Sequence, residues 1–282
     1  MAIFWGINIR KTIKLRDLNH LSEIFHSYDT YIIDLWGVMH NGIALYSKAI
    51  EAVENLRANS KKVVFLSNAP RPSFKVVEFL KRLKMSDKFL SRVITSGEAA
   101  MHAINENKFG NKFYHLGPPR DQSLFEKVKK NKTSLDNCDF IVCTGLFDDQ
   151  EDDLNYYKEL LKDYASKKLI CTNPDLIVHR GNTEELCAGS IAKTFELLGG
   201  EVIYYGKPYK EIYEMCFKQG EQVLAIGDNL RTDIKGANNL NIDSLFIYNG
   251  IHRNEIKTKE ELPTLLKKYN VKTNFFQKEL KW

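Results

Sequence analysis

The sequence predicts an α/β protein built on a parallel β-sheet with helices on both faces. Short runs rich in β-branched and aromatic residues alternate with longer segments of helical periodicity, and the turns between them are short. The strand-like runs are almost wholly apolar, which is typical of parallel strands buried on both faces. The 282 residues, 43% of them hydrophobic, suffice for about two domains that each bury a core.

The first third of the chain predicts three strands and three helices in alternation. Residues 31–36 form a mostly apolar run that we interpret as a buried strand leading into a loop. Apolar residues recur at three-residue steps from Ile50 to Leu56, which favours a helix over 47–59 with Ser47 as its N-cap. The other elements predicted here are strands at 62–67 and 93–95 and helices at 73–83 and 97–105.

The same alternation continues from residue 112 to residue 248. The stretch 107–111 precedes the first of these strands and the Gly199-Gly200 pair stops a helix, so both are candidate crossings between two domains. Beyond residue 273 the polar sequence predicts a loose tail. The predicted strands are 112–116, 139–143, 169–172, 202–205, 222–226 and 244–248, and the helices are 122–130, 150–165 and 187–198.

Composition and charge exclude several classes of protein. The hydrophobic fraction is too high for an intrinsically disordered chain, and no apolar run approaches the roughly 18 residues of a membrane-spanning helix. The net charge is 41 − 36 = +5. Because 31 of the 41 basic residues are lysines spread along the chain, nucleic-acid binding is not predicted, since proteins that bind duplexes concentrate arginine on one face.

The cysteines and the N-terminal sequence indicate the cellular compartment in which the protein is expected. Five cysteines make an odd number without a CxxC pair, so neither a disulfide framework nor a zinc finger is predicted. The N-terminal sequence has only a short apolar stretch before its charged residues and lacks a small-residue cleavage pattern. We therefore expect a reduced, soluble, cytoplasmic protein that binds neither nucleic acid nor a membrane.

Several predicted strands end in polar residues that a purely structural sheet does not need. Ligands of open α/β sheets bind outside the carboxyl ends of the strands. Asp34 ends the first strand and could be a carboxylate nucleophile or a metal ligand, or a turn-forming Asp. Ser67 and Asn68 end the second strand, before Pro70, and could bind an anion such as phosphate or only cap the next helix.

In the second half of the chain, a lysine and an acidic pair also follow the ends of predicted strands. Lys207, between Gly206 and Pro208, could neutralise phosphate or hold a carboxylate, or be an inert surface lysine. Asp228 and Asp233 lie five residues apart in the sequence GDNLRTDI. Carboxylates this close repel each other unless a cation lies between them, and a divalent cation with oxygen ligands would relieve the repulsion. A pair of Asp N-caps is the structural alternative.

In this order the four motifs resemble those of the haloacid dehalogenase-like hydrolases. Asp, then Ser-Asn, then Lys, then GDxxxTD is that family's series, and the resemblance covers residues 31–250. The sequence is similar in particular to the class IIA branch, the NagD-like and p-nitrophenyl- or pyridoxal-phosphatase-like proteins. The segments TNPD at 172–175, CAGSI at 187–191 and YGKP at 205–208 support that branch.

The resemblance implies a phosphatase that acts on a small phosphorylated metabolite, such as a sugar phosphate, a nucleotide or pyridoxal phosphate. Asp34 would attack the phosphorus and become an aspartyl-phosphate. Ser67 and Asn68 would bind the transferring phosphoryl group, and Lys207 would offset the charge on both. These roles fit phosphoryl transfer, which demands mainly positioning and charge stabilisation.

The resemblance also implies a Mg²⁺ cofactor. Its expected ligands are the carboxylate of Asp34, the backbone carbonyl of Trp36 and the side chain of Asp228. Asp233 would support this site through water.

In the class IIA branch an α/β cap of the C2 type is inserted into a Rossmann-like core. The resemblance therefore implies a discontinuous core at 1–107 and 200–282 and a cap at 108–199. The cap would cover the site and select the substrate through the loop at 145–148 and the turn near Gly189. A homodimer formed through the cap is a further hypothesis.

One position departs from the family pattern. Phosphatases of this family carry a second Asp two residues after the nucleophile, where this chain has Trp36. That Asp protonates the leaving oxygen and then activates water, and an indole can do neither. Its loss would lower turnover by about 10²–10⁴-fold, unless His40 substitutes. The alternative function is a weakly active or inactive regulatory protein that binds phosphate compounds on the same scaffold.

Overall fold

A computed structural model describes residues 15–282. The first fourteen residues, which carry most of the N-terminal sequence used to predict the compartment, lie outside the described part. The strands are β1 Arg16–Asp17, β2 Thr30–Ile33, β3 Lys62–Ser67, β4 Val93–Thr95, β5 Phe113–Leu116, β6 Phe140–Cys143, β7 Lys168–Cys171, β8 Ile177–Arg180, β9 Thr183–Leu186, β10 Glu201–Tyr204, β11 Val223–Gly227, β12 Asp243–Ile247 and β13 Phe275–Gln277. The α-helices are α1 Ser47–Ala58, α2 Ser73–Arg82, α3 Ser96–Asn105, α4 Leu154–Leu161, α5 Ala188–Leu197, α6 Lys210–Glu214, α7 Lys235–Leu240 and α8 Leu262–Lys268.

The larger sheet has seven strands in the order β1-β13-β12-β11-β2-β3-β4, and every pair is parallel. Neighbouring residues of its strands point to opposite faces. Ile33 and Phe65 pack with α1 and α2 on one face, whereas Ile32 and Val64 pack with α6 and α7 on the other. The sheet is therefore covered on both faces, as its apolar strands predicted.

The smaller sheet has four parallel strands in the order β10-β7-β6-β5. Helices α4 and α5 pack on one of its faces, and α3 packs on the other with Met101 and Ile104. The two strands β8 and β9 form a separate antiparallel hairpin. Since β10 belongs to this sheet and α3 packs against it, we propose that the inserted body reaches from α3 to β10, wider than 108–199 at both ends.

The α/β fold class with a doubly wound parallel sheet and a second α/β body is confirmed. Two local predictions about helices are wrong. Ser47 is not the N-cap of α1: the cap position is Tyr46, whose side chain makes no capping hydrogen bond. The helix predicted at 122–130 is a run of 3₁₀ turns over Pro119–Asn131, which begins with a proline that cannot donate a backbone hydrogen bond.

The expectation of a loose tail beyond residue 273 is also wrong. Strand β13 pairs with both β1 and β12 inside the larger sheet. Phe276 and Leu280 are buried, and the Trp282 ring packs against Phe25 at a centroid distance of 5.0 Å. The few apolar residues of this polar segment suffice to place it in the core, because each buries a large side chain.

No helix within residues 15–282 is long and apolar enough to cross a membrane. The five cysteines are buried and unpaired.

Candidate active site

Three of the predicted site residues meet at one edge of the larger sheet. Asp34 follows β2, Ser67 ends β3 and Asp228 follows β11, and these three strands are adjacent and parallel. The backbone N–H of Asp34 donates to the carbonyl of Ile226 at 2.9 Å, which extends the pairing of β2 with β11 to the nucleophile position. The parallel register thus places their side chains at the same carboxyl edge.

Lys207 joins this group from outside the larger sheet. It follows the end of β10, a strand of the smaller sheet, and lies on the segment that leads from that sheet back to the larger one. Its ammonium donates to Asp34 Oδ1 at 2.5 Å and to Asp233 Oδ1 at 2.7 Å, and its side chain is only 3% exposed. The side chain thus bridges two buried carboxylates.

Asn68 holds Lys207 by its backbone. The side-chain oxygen of Asn68 accepts from the N–H of Lys207 at 2.8 Å, and its amide nitrogen donates to the carbonyl of Lys207 at 3.2 Å. The neighbouring Gly206 has φ +122°, and a Cβ there would lie 2.6 Å from Asn68 Oδ1. The side-chain amide of Asn68 therefore holds the segment around Lys207 in place and is not available to bind a ligand.

Asp228 and Asp233 are held by backbone groups at the carboxyl end of β11. Asp228 Oδ2 accepts from the N–H of Ile251 at 2.7 Å. A Cβ at Gly37, whose φ is +84°, would lie 2.0 Å from that same oxygen, so only glycine fits beside it. Asp233 lies in one turn of π-helix over Leu230–Ile234, and its Oδ2 accepts from the N–H of Asn229 at 3.0 Å.

The carboxylates of Asp34, Asp228 and Asp233 form a compact buried cluster. One oxygen of each lies within 4.8 Å of the others. Burial raises the pKa of Asp34 to about 8 despite the attraction of Lys207, and burial and the neighbouring carboxylates raise the pKa of Asp228. Burial alone would lower the pKa of Lys207, but Asp233 and Asp34 raise it, so this lysine stays charged.

The donor set fits a hard divalent cation. Both oxygens of Asp233 already accept hydrogen bonds, from Lys207 and Asn229. By contrast, Asp34 Oδ2 and Asp228 Oδ1 accept none from residues 15–282. Carboxylate oxygens are the ligands that Mg²⁺ takes in proteins, and a cation here would favour the ionised state of both groups.

These residues open into a cavity of about 370 Å³ that lies between the larger sheet and the inserted body. Asp34, Ser67, Lys207 and Asp228 line its floor, and every residue of β8 and β9 lines it as well. The carboxylate cluster and Lys207 are therefore open to a cavity whose lining also includes charged residues of the inserted body, such as Arg120 and Arg180.

Three further predicted residues, Trp36, Gly189 and His40, lie outside the cluster of Lys207 and the carboxylates, although Trp36 and His40 line the cavity. The indole of Trp36 lines the cavity, but its Nε1–H donates to the carbonyl of His179 in β8 at 2.9 Å. Gly189 does not line the cavity: it lies in the first turn of α5, where a Cβ would lie 2.5 Å from the Asp175 carbonyl. His40 is buried, its Nδ1 accepts from the N–H of Gly42 at 3.0 Å, and burial lowers its pKa to about 4, so it is neutral near pH 7.

Two parts of the site were missed from the sequence. Asp175 lines the cavity, accepts from Asn229 Nδ2 at 3.1 Å, and has its pKa raised to about 6 by burial; its segment TNPD served only to identify the branch. The hairpin β8–β9 was not predicted. Its two-residue turn Gly181-Asn182 between short strands is a known hairpin signal that could have found it.

The bridge made by Lys207 has a measurable effect on stability. Lys207→Met leaves the buried carboxylates without their compensating cation, so we expect the free energy of unfolding to fall by about 3–5 kcal/mol in buffer without divalent cations. Lys168→Met is the matched control, because it breaks an exposed pair with Glu201 and should cost under about 1 kcal/mol. Equal losses in the two variants, measured by urea unfolding, would contradict the bridge.

Two family models match the chain. One, described as haloacid dehalogenase-like hydrolase, covers residues 31–130, and the other, described as HAD-hydrolase-like, covers residues 204–269. The two matched ranges contain Asp34, Ser67, Lys207, Asp228 and Asp233.

The chain is also similar to characterised proteins along most of its length. It is 25% identical over 257 residues to the 5'-nucleotidase YutF of Bacillus subtilis, which covers 84% of this chain and 94% of that protein. It is 24% identical over 248 residues to the acid sugar phosphatase of Staphylococcus haemolyticus, which covers 84% of this chain and 92% of that protein.

Solved structures agree in fold. A haloacid dehalogenase-like hydrolase from Brucella suis has a TM-score of 0.82 at 29% identity, with 93% of this chain and 98% of that chain covered. A 4-nitrophenylphosphatase from Thermotoga maritima has a TM-score of 0.67 at 25% identity, with coverages of 91% and 96%. Fold, motifs and family models agree, and the chain belongs to the haloacid dehalogenase-like hydrolases.

Proposed function

We propose that this phosphoric monoester hydrolase transfers the phosphoryl group of a small phosphorylated metabolite to Asp34 and then to water, with Mg²⁺ bound. The observation that carries the proposal is the contact of Lys207 with Asp34 at 2.5 Å beside the carboxylate cluster. In this arrangement the Asp34 carboxylate can attack, and the ammonium of Lys207 places a fixed positive charge next to it.

The first step forms a bond between a carboxylate oxygen of Asp34 and phosphorus while the bond from phosphorus to the ester oxygen breaks. The ester oxygen leaves with the electron pair and takes a proton from solvent. Lys207 offsets the negative charge on Asp34 and on the transferring group. The hydroxyl of Ser67 and the backbone N–H of Asn68 are the neutral donors for the phosphoryl oxygens in this proposal. Water then attacks the aspartyl-phosphate, which releases phosphate and restores Asp34.

The metal would be held by Asp34, Asp228 and the backbone carbonyl of Trp36. When bound, it neutralises charge on the phosphoryl oxygens and on the nucleophile. Asp233 would support the site without binding the metal directly, because its two oxygens accept hydrogen bonds from Lys207 and from the N–H of Asn229. The support for this assignment is the pair of unused carboxylate oxygens on Asp34 and Asp228.

The size of the cavity supports a small substrate. Ligand cavities span about 300–1,000 Å³, and this one of about 370 Å³ lies near the lower limit. Related proteins are named for a nucleotide, for sugar phosphates and for phosphoglycolate, so the relatives support a small phosphate ester without selecting one. Gly189, which does not line the cavity, has no place in substrate binding in this proposal. The cytoplasmic location and the homodimer stay predictions.

The replacement of the expected acid by Trp36 favours a second candidate function. The indole is engaged with the backbone of His179 and does not titrate, so the leaving oxygen lacks a proton donor at this position. His40, neutral near pH 7 and already accepting from Gly42, is a weak substitute. The alternative is therefore a protein that binds phosphate compounds on this scaffold with little turnover.

A panel of phosphate esters separates the two functions. With Mg²⁺, we expect wild type to hydrolyse at least one ester and Asp34→Asn to hydrolyse none. Esters of acidic alcohols such as p-nitrophenol should be favoured, because their leaving groups need no proton. If wild type equals Asp34→Asn on every ester while Trp36→Asp gains activity, the hydrolase proposal is wrong and the binding protein is favoured.

Calorimetry tests the metal separately from turnover. Asp228→Ala removes one of the two free carboxylate oxygens, so Mg²⁺ affinity should fall by at least tenfold, since each 1.4 kcal/mol of lost binding is a factor of ten. Asp163→Ala, which removes an exposed acid that belongs neither to the cluster nor to the cavity lining, is the control and should bind like wild type. Equal affinities in wild type and Asp228→Ala would exclude the proposed metal site.

A further inference from the structure

The hairpin β8–β9 is one of the segments of the inserted body that line the cavity. Both of its strands line the cavity along their whole length, yet neither pairs with the smaller sheet. Its position therefore depends on contacts other than sheet hydrogen bonds. Many of those contacts come from the loop that follows the nucleophile.

Three hydrogen bonds join the hairpin to the larger body. Trp36 Nε1–H donates to the carbonyl of His179 at 2.9 Å. The N–H of Gly181, at the hairpin turn, donates to the carbonyl of Asn41 at 3.0 Å, and Arg253 donates through Nη2 to the carbonyl of Gly181 at 3.0 Å. All three use backbone groups of the hairpin, so they fix its path irrespective of its side chains.

The ring of Trp36 adds side-chain contacts to this attachment. The guanidinium of Arg180 in the hairpin lies 5.2 Å from the ring centroid, a cation–π distance. On the core side, Phe79 of α2 stacks nearly parallel to the indole at 6.3 Å. A Cβ at Gly42 would lie 2.6 Å from the indole, so a glycine at that position leaves the room that the ring needs.

We propose that Trp36 is a positioning residue that fastens the hairpin over the cavity, so that the nucleophile loop itself sets where the hairpin meets the ester. Trp36 stands two residues after Asp34, and one side chain therefore connects the reacting end of the site to the wall that faces the rest of the substrate. The position that would carry the acid in related phosphatases serves substrate positioning in this chain. This inference rests on the proposed function for its effect on substrate, but the attachment itself does not.

Hydrogen–deuterium exchange of the full-length protein measures the attachment without any need for activity. Trp36→Phe keeps the aromatic ring and removes the indole N–H. We expect the amides of 177–186 to exchange about five- to tenfold faster than in wild type, the factor that corresponds to one net hydrogen bond. Amides of Phe140–Cys143 in the smaller sheet should not change. Unchanged exchange in the hairpin, or an equal increase in β6, would overturn the proposal.

A matched pair on the hairpin side covers the case in which Trp36→Phe does not fold. Arg180→Gln removes the cation over the indole, whereas Glu185→Gln breaks only the ion pair of Arg180 with Glu185 at 2.7 Å. Faster hairpin exchange in Arg180→Gln than in Glu185→Gln supports the attachment, and equal exchange in the two contradicts it. Trp282→Phe, a tryptophan that packs against Phe25, is the control for loss of an indole elsewhere.

Kinetics on the best ester of the panel then test the consequence for substrate. Trp36→Phe should raise KM about five- to tenfold, while the inhibition constant of inorganic phosphate stays within twofold, because phosphate needs only the floor of the cavity. A parallel rise of both constants would show general damage and contradict a positioning role. If no ester is hydrolysed, the exchange measurements still decide the attachment, so the two failures are distinguishable.

Discussion

The ammonium of Lys207 lies between two buried carboxylates, and the arrangement of the site depends on it. Charges buried this deeply are tolerated only when they are paired and hydrogen-bonded. Asp34 and Asp233 come from different strand ends of the larger sheet, whereas Lys207 comes from the segment that returns from the inserted body. The bridge therefore joins the two bodies at the reacting group. Asn68 holds Lys207 in place by hydrogen bonds to both its backbone N–H and its backbone carbonyl.

The same edge of the sheet carries a second link between the bodies through Trp36. Lys207 fixes the floor of the cavity through its contact with Asp34. Trp36, two residues after Asp34, fixes the cover through its hydrogen bond to His179. Sequence separation is no obstacle, because parallel strands bring their carboxyl ends together whatever the length of the insertion between them. An acid at position 36 would serve proton transfer, whereas the indole serves packing and a hydrogen bond to the hairpin.

Much of the fold follows from sequence because buried parallel strands leave a strong apolar signal. The strands Lys62–Ser67 and Val93–Thr95 were predicted to the residue. The segment with Phe276 was misjudged because its neighbours are polar, although its few aromatic side chains place it in the sheet. The site cluster was predictable from motif order, but the use of Trp36 was not: a residue type gives no information about the partner that lies 143 positions away.

In the proposed mechanism Asp34 carries the phosphoryl group during turnover. The direct measurement is acid quenching of wild type during turnover of its best ester with Mg²⁺, followed by peptide mass spectrometry. We expect a phosphorylated peptide whose modified residue is Asp34, and we expect it to be absent when the ester is omitted and in Asp34→Asn. Hydrolysis that proceeds at the same rate in Asp34→Asn, with no phosphorylated Asp34 in wild type, would contradict it.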